Sequence, residues 1–187
     1  YEKILAVDSN ADDAYRGLAR VLRSEAKWYE LVALYDRHIA AAKQPAQRVE
    51  LYLEAANVNE KELSDPHRAI EAHRNALAID ENNKSSLAAL SRLYQRTEAY
   101  DRAVDMLVRH AALAGDTTDK GAGMWAEAGR LASENLDDNE LAQRHLEKAL
   151  ALDAEHFGAL KALAGLHQRK GSWSSAVEFL QRAEAAS

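Results

Sequence analysis

The 187-residue chain contains no cysteine. A disulfide framework and any thiolate-bound metal are thereby excluded, while reducing and oxidising compartments both remain open. Proline occurs twice and glycine eight times, alanine is abundant, and no run alternates apolar with polar residues as a half-buried strand does. Aromatic residues form 6% of the chain, and Lys and Arg stand singly among acids that leave a net charge of -6. A nucleic-acid groove, which needs a basic stripe and interleaved rings, gains no support. Charge interrupts every apolar stretch within a few residues, so no helix is expected to insert in a membrane. The opening residues, "YEKILAVD", lack Met, lie in an amphipathic helical pattern and carry no basic-then-apolar leader. They read as the start of a fragment of a longer protein, with the compartment open and a soluble, cytoplasmic setting favoured.

What is present is a helical period near 3.6 and, above it, a longer repetition. "KILAVD" (3–8) returns as "NALAID" (75–80) and "KALALD" (148–153), the final Asp falling at Asp8, Asp80 and Asp153, intervals of 72 and 73. A finer interval of 34 separates Ala69 from Ala103, Ala142 from Ala176, and Ala149 from Ala183. The long interval is therefore two units plus a few linker residues. Units alternate in kind. Even ones share an extended turn, "ELSDPHRA" (62–69) and "NLDDNELA" (135–142), in which Asp65 and Asp138 are N-caps and Pro66 sits in the first turn. Odd ones share "DRH" (36–38) and "VRH" (108–110), followed by the longer connections "AAAKQPAQ" and "AALAGDTTDKG". Gly115, Asp116, Thr117, Thr118 and Gly121 read as the loosest loop. Internal similarity implies an ancestral pair of units that was duplicated.

In residues 160–183, Leu160, Leu163, Ala164, His167, Ala176, Leu180 and Ala183 follow one register. Trp125 and Gly129, Leu90 and Tyr94, Leu18 and Ala19, and Tyr52, Ala55, Ala56 and Ala69 occupy matching places in the other units, with Leu31 replacing a small residue. This pattern resembles the tetratricopeptide repeat, whose helix-turn-helix unit is about 34 residues long, and in particular its bacterial-type members. The resemblance implies an all-α, right-handed superhelical solenoid of antiparallel helix pairs, about eleven helices in all. Residues 1–11 would end a truncated repeat, followed by repeats at 12–45, 46–83, 84–119, 120–156 and 157–187. Small residues at Ala19, Ala56, Gly129 and Ala164 let helices cross closely, and neighbouring units cover one another's apolar faces.

The chain shows little that performs chemistry. Its seven His do not converge at the three- or four-residue spacing of helical metal ligands, and they read as surface or packing imidazoles. "GAG" (121–123) lacks the strand and the Lys-Ser/Thr of a phosphate loop and reads as a linker leading into a helix. Asp12, Asp13, Asp137 and Asp138 fall at helix starts, where carboxylates favour the macrodipole. Trp28, Trp125 and Trp173 take packing places rather than forming a ligand cage. No enzyme activity and no cofactor are expected.

The remaining candidate is the surface of the first helices, which the resemblance implies lines the concave face. It carries Arg16, Arg20 and Arg23; Glu50, Glu54 and Asn57; Arg92, Gln95 and Arg96; Glu127 and Arg130; and Lys161, Gln168 and Arg169. Odd units bring cations and even units carboxylates. Such a groove suits a peptide or protein segment held by charge pairs and bidentate Arg contacts. The competing expectation pairs Arg20 with Glu54 and Arg92 with Glu127 internally. The carboxylate clamp of some family members is lacking: Glu54 stands where an Asn is needed, and Ser85 and Ala89 where Lys and Arg are. A non-catalytic interaction scaffold is the leading expectation. The alternatives are a structural spacer, self-association through the terminal apolar residues Tyr1, Ile4, Leu5, Val177, Leu180 and Ala183, or a recruitment domain for an enzyme elsewhere in the parent chain.

Overall fold

The computed structural model describes residues 1–8, 11–114 and 119–186, with Glu2, Ala6 and Asp119 described by backbone alone. Among the described residues every regular element is a helix. In chain order these are α1 (Glu2–Val7), α2 (Asp12–Ser24), α3 (Trp28–Ala41), α4 (Pro45–Lys61), α5 (Pro66–Ile79), α6 (Lys84–Arg96), α7 (Tyr100–Ala114), α8 (Asp119–Asn135), α9 (Asn139–Leu152), α10 (Phe157–Arg169) and α11 (Trp173–Ala185). They form two compact units, residues 1–86 and 87–187.

The alternation read from the sequence has a backbone counterpart in the turns. Ala26, Glu98 and Gly171, with φ of 53°, 59° and 72°, each place one left-handed residue in the α2–α3, α6–α7 and α10–α11 turns. The next N–H then bonds a carbonyl five residues back: Lys27 to Leu22, Ala99 to Tyr94 and Ser172 to His167, at 2.8 to 2.9 Å. In the α4–α5 and α8–α9 turns Ser64 and Asp137 are left-handed, and the bond reaches six back, from Asp65 to Asn59 at 2.8 Å and from Asp138 to Ala132 at 3.0 Å. Both Asp side chains then cap the following helix, accepting from Arg68 N–H at 3.0 Å and Leu141 N–H at 2.9 Å. These are the predicted caps, and Pro66 occupies the first turn as expected.

Two connections are shorter than the sequence suggested. Ala40 and Ala41 continue α3, and α4 begins at Pro45, whose missing N–H costs nothing in a first turn. Gly121, Ala122 and Gly123 are helical, not a linker, because Gly121 and Ala122 are buried and hold the first turns of α8 against the protein. The remainder of the expected loose loop, residues 115–118, lies outside the described residues.

In the first unit, Leu31, Val32, Tyr35 and Ile39 of α3 pack with Leu51, Ala55 and Val58 of α4. Leu5 joins Ala14, Tyr15 and Leu34, so it is covered by α2 and α3 rather than bare as expected. In the second unit, Trp125 and Ala126 of α8, Leu146 and Ala149 of α9, and Ala159 and Leu163 of α10 share a core. Gly129 marks the closest approach there: a Cβ on it would stand 2.6 Å from Leu146 Cγ. Ala183 is buried, while Tyr1, Ile4, Val177 and Leu180 are exposed. Trp173 departs from its expected packing place. At 67% exposure it lies in one stripe with Val177 and Leu180, at the four- and three-residue steps of a single α11 face.

Candidate functional site

The first unit holds a cleft of about 700 Å³ between α2 and α4, with α3 beneath. Its cationic wall is Arg16, Arg20 and Arg23, spaced so that one α2 face presents all three. The opposite wall is Glu50, Glu54 and Asn57 on α4, each 34 residues after its α2 counterpart. Six of the fourteen residues expected on the concave face are thus brought together: Arg16, Arg20, Arg23, Glu50, Glu54 and Asn57.

The cleft is pinned at both ends. At one, Arg23 Nη2 donates to Glu54 Oε2 at 2.7 Å and to Tyr35 Oη at 2.8 Å, and Tyr35 in turn donates to Glu54 at 3.2 Å. The sequence suggested that Arg20 would meet Glu54. Arg23 does so instead, across a separation of 31 rather than 34 residues. Tyr35 is buried, and that burial, reinforced by the Glu54 charge, pushes its phenol up to about 12. The hydrogen bond it donates to Glu54 raises Arg23, which stays a cation.

At the other end, His38 Nε2 donates to Asp12 Oδ1 at 2.8 Å, and Gln47 Nε2 reaches the same oxygen at 2.8 Å. The His38 ring, buried at 5% exposure, stacks on Tyr15 with centroids 4.1 Å apart. The bond from His38, and then that from Gln47, holds the Asp12 carboxyl below its ordinary value. Asp12 therefore does more than favour a helix start. The Asp12–Gln47 and Arg23–Glu54 contacts, advancing together along both helices, show that α2 and α4 run parallel.

Tyr15, Tyr35, His38 and Gln47 were not foreseen in the site. The one sequence feature that could have indicated them is Tyr35-x-x-His38, a three-residue step that puts both on one face of the helix beneath the predicted walls.

The other eight expected residues belong to the second unit and do not line this cleft. Glu127 accepts from Arg130 on its own helix at 2.9 and 2.7 Å, and Arg130 also reaches Glu134 at 2.5 Å. Arg92, Arg96 and Lys161 are exposed, and Gln95 is half-buried. Arg169 donates to Ser133, and Gln168 is exposed.

No group of three or more His, Asp or Glu among the described residues is placed to hold a metal ion. None of the described helices is long and apolar enough to cross a membrane.

Residues 14–49 and 86–121 match the family model of the tetratricopeptide repeat, and their starts lie 72 residues apart, the interval of the "NALAID" repetition. No curated protein matches the chain in sequence. Among solved structures, MamA 41-end from Desulfovibrio magneticus RS-1 is similar with a TM-score of 0.62 and 18% identity, over 95% of this chain and 96% of that one. YrrB, a TPR protein with an unusual peptide-binding site, gives 0.66 and 18% over 99% and 91%. BtubC (BKLC) from P. vanneervenii gives 0.59 and 16% over 99% and 84%. At these identities the likeness establishes the fold, an all-helical repeat fold. Tetratricopeptide repeats are thus matched at residues 14–49 and 86–121, and the chain as a whole has the fold of tetratricopeptide-repeat proteins.

Proposed function

We propose that the chain is a non-catalytic interaction scaffold that binds a peptide or protein segment in the α2–α4 cleft, and that the five pairs from α2–α3 to α10–α11 are its five repeats. The observation that carries this reading is the middle of the cleft. Arg20, Glu50 and Asn57 are exposed there and make no hydrogen bond or ion pair among the described residues, between two ends that are closed by such bonds. Unspent donors and acceptors over a floor of Ala19, Leu51 and Leu53 suit a chain that brings its own polar groups. The peptide-binding site of YrrB, a protein of the same fold, is consistent with this use. Catalysis is not supported: the nearest imidazole, His38, donates its Nε2–H to Asp12 and so offers no lone pair there as a general base.

Selection of a random twelve-residue peptide library on the purified protein tests the proposal. Peptides should be enriched that lose binding to an Arg20→Ala/Asn57→Ala variant whose circular dichroism is unchanged. Enrichment indifferent to that variant would move recognition elsewhere.

A second reading, self-association, is favoured by the exposed Trp173, Val177 and Leu180 stripe. Light scattering checks it. A mass that rises with concentration and falls back to one chain in Trp173→Ser supports assembly, and a constant single-chain mass removes it.

A further inference from the structure

The cleft has an arrangement that narrows its ligand. Its two ends are closed by internal bonds, Asp12 with His38 and Gln47 at one and Arg23 with Tyr35 and Glu54 at the other. From Asp12 to Arg23 the wall spans about 16 Å at the helical rise, room for about five extended residues. One turn before the closed Arg23–Glu54 rung, α2 presents Arg20 and α4 presents Glu50. The same pair of side-chain types is left unjoined at this level, although α2 and α4 are bridged above and below it. Arg16, 71% exposed and 3.9 Å from Asp12, adds a second guanidinium to the same wall.

We infer that the cleft selects a segment carrying charges of both signs: an acidic side chain directed to Arg16 and Arg20, a basic side chain directed to Glu50, and a small apolar side chain between them over Ala19 and Leu51. This deepens, and rests on, the reading of the cleft as a peptide site. The reasoning is electrostatic. A purely acidic segment would satisfy the α2 wall but bring its charge against Glu50 and Glu54, and a purely basic one would meet three arginines. Only a segment of mixed sign leaves no like-charge contact on either wall, and like-charge contact is the stronger lever on specificity. Guanidinium-carboxylate pairing on one side and ammonium-carboxylate pairing on the other are charge-assisted bonds whose loss lowers affinity by about tenfold or more.

Three labelled twelve-residue probes test this by fluorescence anisotropy: repeats of Asp-Leu-Lys, of Asp-Leu-Asn and of Asn-Leu-Lys. The mixed probe should bind about tenfold more tightly than either single-charge probe. Arg20→Glu should remove its advantage over Asn-Leu-Lys, and Glu50→Arg its advantage over Asp-Leu-Asn. Equal binding of the three probes, no measurable binding of the mixed one, or a preference that survives both substitutions would overturn the inference. Library peptides that bind through Arg20 and Asn57 but lack paired acid and base would overturn it while leaving the peptide-site reading intact. Failure of the library to yield any cleft-dependent binder would remove that reading first.

Discussion

Gly129→Ala is the sharpest test of how the helices pack. A methyl group on a helical glycine ordinarily stabilises by about 1 kcal/mol through backbone propensity. At Gly129 the new Cβ would stand 2.6 Å from Leu146 Cγ, 2.9 Å from Leu146 Cδ2 and 3.0 Å from the Ala142 carbonyl oxygen. Leu146 and Ala142 are both fully buried, so neither has a void into which to retreat, and the carbonyl belongs to the α9 backbone. Overpacking of this kind costs about 1 to 3 kcal/mol. With contacts this short the upper part of that range applies, leaving a net loss of about 1 to 2 kcal/mol. Gly123→Ala and Gly165→Ala are the controls, since their added methyls would meet only His156 Nε2 at 3.9 Å and Arg169 Nη1 at 3.8 Å; each should gain up to about 1 kcal/mol. Leu146→Ala removes the obstructing branch, so Gly129→Ala should cost less on that background, with a coupling of about 1 to 2 kcal/mol. Urea unfolding followed by far-ultraviolet circular dichroism, compared at equal slope, measures the four single variants and the double variant against wild type. If Gly129→Ala were as stabilising as Gly123→Ala, α8 and α9 would not approach as closely as described, and the packing argument would fail.

Three further expectations follow from particular residues. Ala26→Gly and Glu98→Gly, at φ of 53° and 59°, should each stabilise by about 1 kcal/mol, and Gly171→Ala, at φ 72°, should destabilise by a similar amount; thermal melts of the three variants read this directly. Tyr35 has its folded value raised from 10.0 to about 12, so its contribution is complete below pH 10 and is lost as pH rises through 12. That loss amounts to about 2 to 3 kcal/mol, and the difference between wild type and Tyr35→Phe across an alkaline unfolding series should show it. His145 is shifted the other way: burial, then the charges of Lys148 and Arg144, lower it from 6.5. Its neutral form therefore supports the fold above pH 6.5, and stability should fall as pH drops through the lowered value. His145→Met should flatten that acid limb, and an unchanged acid limb would show that the buried imidazole does not control it.

The fold was legible because its determinants are local or periodic. The N-caps Asp65 and Asp138, the N1 position of Pro66 and the two alternating turn types follow from residues a few positions apart. The walls of the cleft were legible too, since Arg16, Arg20 and Arg23 answer to Glu50, Glu54 and Asn57 at the repeat interval. What the sequence concealed depends on lateral displacement between helices. Arg23, and not Arg20, meets Glu54, a choice between neighbouring side chains of one helix face that no periodicity encodes. The Asp12–His38–Gln47 network joins residues 26 and 35 positions apart from three helices, so its members look like an unrelated cap, spacer and surface amide. Trp173 misled for a complementary reason: its register matches a packing position, but the face it occupies on α11 is exposed to 67%, and register alone does not say whether a partner covers that face.

Where a segment docks is the question on which the functional account depends. An amide nuclear magnetic resonance titration of the protein with a library-selected peptide answers it most directly. The account predicts saturable shifts concentrated at residues 16–23 of α2 and 50–57 of α4, with weaker changes at Tyr35 and His38 beneath them. Saturable binding with those residues unmoved and the shifts gathered on α10 and α11 would contradict it.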